Sequence, residues 1–276
     1  VLLAIEFRLL PRFGITNLHA IVVNYFTCFV VGSIVNGGSP LNAGIVETDW
    51  FIYALFLSLT FIIFFNVNAY STQKVGMIIT GVFQKLSLLF PVLAGWMIFG
   101  ETATSSKIIA IVLAVVSIIL INIPSKSNLE HQADLKKYWW LPLVVLFGSG
   151  FIEVTLFYTE QTGKVVDAGV DFVTILFFMA GCIGFLFMLL TGKIVKIKPK
   201  EILAGILIGI PNFFTIYLLI RGLELGWDGS VLFPLNNIGV IFFTAIVGML
   251  FFKEKLSNLN RIGLLLAFLV VYLISA

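Results

Sequence analysis

The chain has 276 residues, a mean hydropathy of +1.10 and a formal net charge of +3; 60% of its residues are hydrophobic and 11% are charged. A soluble domain carries about 25% charged residues, so these charges are too few to cover a water-facing surface or to keep a chain disordered. The small net charge, spread over scattered basic residues, excludes nucleic acid as the expected partner and leaves a polytopic membrane protein in a lipid bilayer.

Apolar runs such as Ile108–Ile123 and Ile262–Ile274 are continuous. Barrel strands alternate over short segments, whereas a helical span needs about 20 apolar residues. Val1–Leu9 reads as the remnant of a truncated first span. Four spans follow: Leu18–Val35, Trp50–Thr72, Val75–Phe99 and Ala103–Ile123. The polar stretch Pro124–Tyr138 is the expected linker. Five more spans come after it: Trp139–Gln161, Val170–Thr191, Glu201–Gly222, Gly229–Phe252 and Asn258–Ser275. Trp50, Tyr138, Trp139, Trp140 and Trp227 stand near the predicted ends, where interfacial aromatics belong. Cys28 and Cys182 fall mid-span and read as small buried apolar residues. His19 and His131 lie near span ends, so no metal site and no cofactor is expected.

The expected fold is all-α, with ten transmembrane helices arranged as two inverted five-helix repeats. The first repeat is residues 1–123, the linker 124–138 and the second repeat 139–276. One constant offset places Gly95 on Gly248, Phe99 on Phe252, Glu101 on Glu254 and Gln84 on Asn237. Five spans per half is an odd number, which requires the copies to be inverted across the membrane. Short connections, Gly100-Glu101-Thr102 and Lys253–Ser257, predict a tight hairpin in each half.

Gly95-Trp96-Met97-Ile98-Phe99-Gly100-Glu101, leading into an apolar helix, and Gly248-Met249-Leu250-Phe251-Phe252-Lys253-Glu254, leading into another, resemble the signature hairpin of the EamA group of the drug/metabolite transporter superfamily. Asn24-Tyr25 resembles members of the same group. The resemblance extends over nearly the whole chain and departs at its start. It implies a secondary transporter or exporter with a central cavity between two halves, and it says little about substrate. It also implies both termini on the cytoplasmic side. Most lysines and arginines instead flank the odd-numbered connections, which places both termini outside.

A charge inside a span costs about 2.5–3.5 kcal/mol on insertion scales, so each one calls for a reason. Lys85 lies near the middle of its span. It reads either as a cationic site for an anionic or carboxylate group of the substrate, or as a lysine that fixes helix packing. Thr80, Gln84, Ser87 and Pro91 recur on one helical face, and Ser230, Pro234, Asn237 and Thr244 form a partner stripe, with Asn236 beside it. Both stripes read as cavity lining or as interhelical hydrogen bonding. Asn66 and Tyr70 are further cavity candidates. Pro211-Asn212 and Pro234–Asn237 each join a missing backbone donor to an amide, which suits a binding site, a hinge or a packing kink. Glu153 follows Gly148-Ser149-Gly150 and reads as a proton-coupling group, as the partner of a lysine such as Lys85, or as a residue near the interface. Arg221 and Glu224 read as an interfacial pair, and Glu101 and Glu254 as turn residues.

These features point to a secondary transporter or exporter of a small polar metabolite, an amino acid or another carboxylate-bearing compound, working by alternating access. An exporter of lipophilic cations would use Glu153 as its membrane-embedded acid, and Lys85 argues against it. An intramembrane enzyme would need paired acids, a histidine cluster or a Ser/His couple within the spans, and no catalytic residue of that kind stands out. A non-transporting scaffold would not call for matching polar stripes. The expected location is a bacterial plasma membrane.

Overall fold

Long apolar segments can cross a bilayer only if every backbone N–H and C=O is bonded within the segment, which favours helices. The computed structural model describes residues 10–121, 137–165, 169–192, 197–251 and 257–275, and among these the ordered elements are helical. They are α1 (Asn17–Val35), α2 (Phe51–Lys74), α3 (Met77–Leu86), α4 (Leu89–Met97), α5 (Ser105–Ile121), α6 (Trp140–Gln161), α7 (Gly169–Leu190), α8 (Pro199–Glu224), α9 (Gly229–Phe251) and α10 (Asn258–Ser275), with short 3-10 turns at Leu10–Phe13 and Ala43–Glu47. Among the described residues, six stretches are long and apolar enough to cross a membrane: α1, α2, Ile79–Met97, α6, α7 and α8. The expected first span, most of the linker, and Glu254 with its hairpin turn lie outside the described residues.

The fourth predicted span departs from expectation. It is not one helix but two, α3 and α4, interrupted at Ser87–Leu88. Pro91 is the cause. It has no N–H to give to the Ser87 carbonyl four residues back, and its ring crowds that carbonyl. Ser87 O accepts instead from Phe90 N at 2.9 Å, a tighter three-residue bond, and Lys85 O accepts from Leu88 N at 3.3 Å.

Two compact units divide the chain, and each draws on both sequence halves. The first comprises Thr155–Gly226 with the described part of Leu2–Tyr70. Here α1 packs on α8 through Gly205 and Gly209, a small-xxx-small pair of the kind that lets helix backbones approach. A Cβ at Gly205 would stand 2.5 Å from Val23 Cβ and 2.8 Å from Ala20 O, and one at Gly209 would stand 2.5 Å from Thr27 Cβ and 2.8 Å from Asn24 O. The other side of α1 packs on α7. Tyr25, fully buried, stacks with Phe177 and donates its hydroxyl to Phe61 O at 2.9 Å. Glu201, 1% exposed, closes the first turn of α8: it accepts from Lys198 N at 2.8 Å, from Thr16 N at 3.1 Å and from His19 Nδ1 at 2.8 Å.

The second unit comprises Ser71–Val154 and Trp227–Ala276. The predicted hairpin of the first half is present, with Leu88 and Val92 packed against Ile111 and Ile118. A second core joins α5, α9 and α10 through Ala110, Ala114, Ile238, Ala267 and Val270. Ser117 Oγ donates to Gly263 O at 2.8 Å. Asn260 has two tasks. Its Oδ1 accepts from Ser257 N at 3.0 Å, which caps α10, and its Nδ2 donates to Leu120 O at 3.0 Å and Ile121 O at 2.7 Å, which satisfies carbonyls left open at the end of α5.

The Gly95–Glu101 hairpin has a physical account. Gly100 has φ +69°, a left-handed conformation that glycine adopts without strain. The chain then folds back, so that Glu101 N donates to Gly95 O at 3.0 Å. The Glu101 carboxylate lies over Gly95, where a Cβ would come within 2.7 Å of Oε2. From there it accepts from Gly229 N at 2.7 Å and Ser230 N at 3.0 Å. A carboxylate at a helix N-terminus bonds open N–H groups and complements the helix dipole. Glu101 is therefore the cap of α9.

Candidate functional site

The break between α3 and α4 carries the polar cluster of the second unit. A discontinuous span exposes backbone polar groups that a continuous helix would use, and such breaks mark binding sites in transporters. Lys85, half-buried, is the penultimate residue of α3, two residues before the break. Glu153 comes from α6 and places its Oε2 2.8 Å from Ser87 Oγ, at the break itself. Ser87 Oγ also lies 2.6 Å from Gln84 O. Glu153 and Lys85 act on each other electrostatically, and the Asn237 side chain on α9 hydrogen-bonds to Glu153. Asn237 is 1% exposed, and its Nδ2 also donates to Phe233 O at 3.1 Å.

Of the residues expected from sequence to line a cavity, Lys85, Gln84 and Asn237 belong to this stretch, together with Glu153, the proton-coupling candidate. Asn236, half-buried, neighbours Asn237 on α9. Thr80 is in the same unit but is 1% exposed, and its hydroxyl lies 2.7 Å from Ser71 Oγ, tying α2 to α3. The Thr244 side chain lies outside the described residues.

The remaining candidates belong to the first unit. Asn66, half-buried, donates Nδ2 to Ile62 O on its own helix at 2.7 Å, and Tyr70 is 39% exposed. Asn212 is 2% exposed and donates Nδ2 to Asn24 Oδ1 at 3.2 Å. Cys28 completes this buried group by donating Sγ–H to Gly209 O at 3.2 Å. All three side chains hold α1 to α8 and are spent on that contact.

Two features carry weak sequence signals. Ser87 stands in the sequence as one member of a stripe, yet it is the residue that joins Glu153 to the break; the nearby proline is the available signal. The first unit also contains a polar cavity of about 190 Å³, lined by Asn36, Asp171, Tyr217, Arg221 and Glu224 among others. Within it Arg221 Nη1 pairs with Glu224 Oε2 at 2.9 Å, the pair expected from sequence. Asp171 gives no sequence signal of its own, because an acid in a helix's first turn is ordinary.

Residues 7–123 match the EamA-like transporter family. An uncharacterized protein of Haemophilus influenzae is 29% identical over 262 residues, covering 92% of this chain and 87% of its own. A protein of known crystal structure shares the fold with a TM-score of 0.73 at 13% identity, covering 99% of this chain and 93% of that one.

Proposed function

We propose, from the match of residues 7–123 to the EamA-like transporter family, that this integral membrane protein is a secondary transporter of a small polar metabolite bearing a carboxylate. The protein works in a bacterial plasma membrane by alternating access, with the two sequence halves as inverted repeats. The observation that carries the reading is the lysine at the broken helix. Lys85 stands beside the α3–α4 interruption, with amides from Asn236 and Asn237 on α9 of the same unit. An ammonium in a span is a functional site by default, and a carboxylate is its natural ligand. Gln84 and Asn236 supply the hydrogen bonds that orient a polar substrate. A lipophilic-cation exporter would need a free acid, but Glu153 is engaged by Ser87 and neighbours Lys85.

The test is uptake into proteoliposomes of labelled amino acids and small carboxylates, by the wild type and by Lys85→Ala. Loss of a charge–charge anchor of about 1.5–3 kcal/mol lowers the uptake of carboxylates roughly 10-fold to 100-fold. Undiminished carboxylate uptake by Lys85→Ala would remove the cationic anchor from the mechanism.

A further inference from the structure

The Ser87 hydroxyl sits between two acceptors. Its Oγ is 2.6 Å from Gln84 O and 2.8 Å from Glu153 Oε2. A hydroxyl has one proton to donate. With Glu153 ionised, Ser87 can serve only one of these oxygens, and the other contact is left as two oxygens at hydrogen-bond distance with no proton between them. With Glu153 protonated, every group is used once. The Glu153 O–H donates to Ser87 Oγ, Ser87 donates to Gln84 O, and the Asn237 amide serves Glu153 while also donating to Phe233 O.

Charge counting leads to the same state. Lys85 and Glu153 are the only charged residues on α3, α4, α9 and the part of α6 in this unit. The groups that face Glu153 are Lys85 from α3, Ser87 from the break and Asn237 from α9. When both Lys85 and Glu153 are ionised the site is neutral, and adding a carboxylate would leave one negative charge uncompensated in an apolar setting. Protonating Glu153 frees the Lys85 charge for the incoming anion, and the loaded site is neutral again.

We propose that Glu153 carries one proton with each carboxylate bound at Lys85, so that proton and anion cross the membrane together and the translocation is electroneutral. The inference rests on Lys85 being the carboxylate anchor. The proton comes from water on the side of entry, resides on Glu153 Oε2 and shares the Ser87 hydrogen bond. It leaves to water when the substrate leaves, and Glu153 then becomes the counter-ion of Lys85.

Calorimetric binding to the purified full chain tests this, with pyruvate and benzoate as probes and neutral benzamide as a control. In the wild type the carboxylate affinity falls as pH rises, by up to about tenfold per pH unit once the empty site has lost its proton. In that range, titrations in two buffers of different ionisation heat report about one proton taken up per carboxylate. Glu153→Gln keeps a neutral donor toward Ser87, and its carboxylate affinity is flat with pH, with no proton uptake. Lys85→Gln weakens carboxylate binding at least about tenfold. If wild-type binding is independent of pH, or if Glu153→Gln keeps the pH slope, the proton assignment is overturned while the anchor stands. If neither carboxylate binds the wild type, the anchor fails and this inference with it.

Discussion

Gly95 and Glu101 act as one device, although they are six positions apart on opposite sides of a turn. The glutamate reaches the N-terminus of α9 only because the glycine leaves room beneath its carboxylate. Glu101→Ala therefore lowers stability by about 1–2 kcal/mol, the usual range for a lost N-terminal cap. Gly95→Ala lowers it too, even though alanine is the better helix former, because the new methyl displaces the carboxylate. Thermal denaturation in detergent checks both; a raised midpoint for Gly95→Ala would sink the account. The hairpin itself was legible in the sequence as a glycine and an acid before an apolar helix. Its purpose was not, since the partner amide of Gly229 lies 128 residues away and nothing local to Glu101 indicates it. The same applies to Glu201, whose partner His19 is 182 residues distant, and to Asn212 with Asn24. Lys85 and Glu153 were legible for the opposite reason: a charge in an apolar run stands out without knowledge of its neighbours.

At the scale of the element, the interruption of the fourth span matters most. Restoring the missing donor with Pro91→Ala allows an N–H to reach Ser87 O and lets α3 run on into α4. Removing a proline from a helix interior relieves about 3 kcal/mol of helix penalty, so the variant is expected to be as stable as the wild type or more so. Its transport is expected to fall severalfold, because Ser87 and Glu153 then face a continuous helix. Parallel measurement of the thermal midpoint and of proteoliposome uptake separates the two effects, and full uptake with raised stability would show that the break has no role in transport. The proline was visible in the sequence, yet the apolar run around it reads as a single span. Hydropathy reports length and polarity, whereas the interruption depends on one missing hydrogen.

At the scale of the molecule, the compact units cut across the sequence halves. Each unit needs segments from both sides of the polar linker, so neither half contains a complete core. Fragments 1–123 and 137–276 expressed separately are expected to be degraded or aggregated, and to co-purify as a monodisperse complex when expressed together. A stable fragment on its own would contradict this division. The interleaving was not readable from composition, because every helix is apolar on most sides and gives few clues to its neighbour. Interleaving also imposes a schedule on biosynthesis. The carbonyls at the end of α5 receive their donors from Asn260, about 140 residues later. At a synthesis rate of about 5–20 residues per second, α5 waits roughly 7–28 s before that amide has been made. During this interval its Ala110–Ala114 face has no α10 to meet. Any factor that shields a nascent helix in the membrane has an opportunity there, and a translational pause before Asn258 would lengthen it.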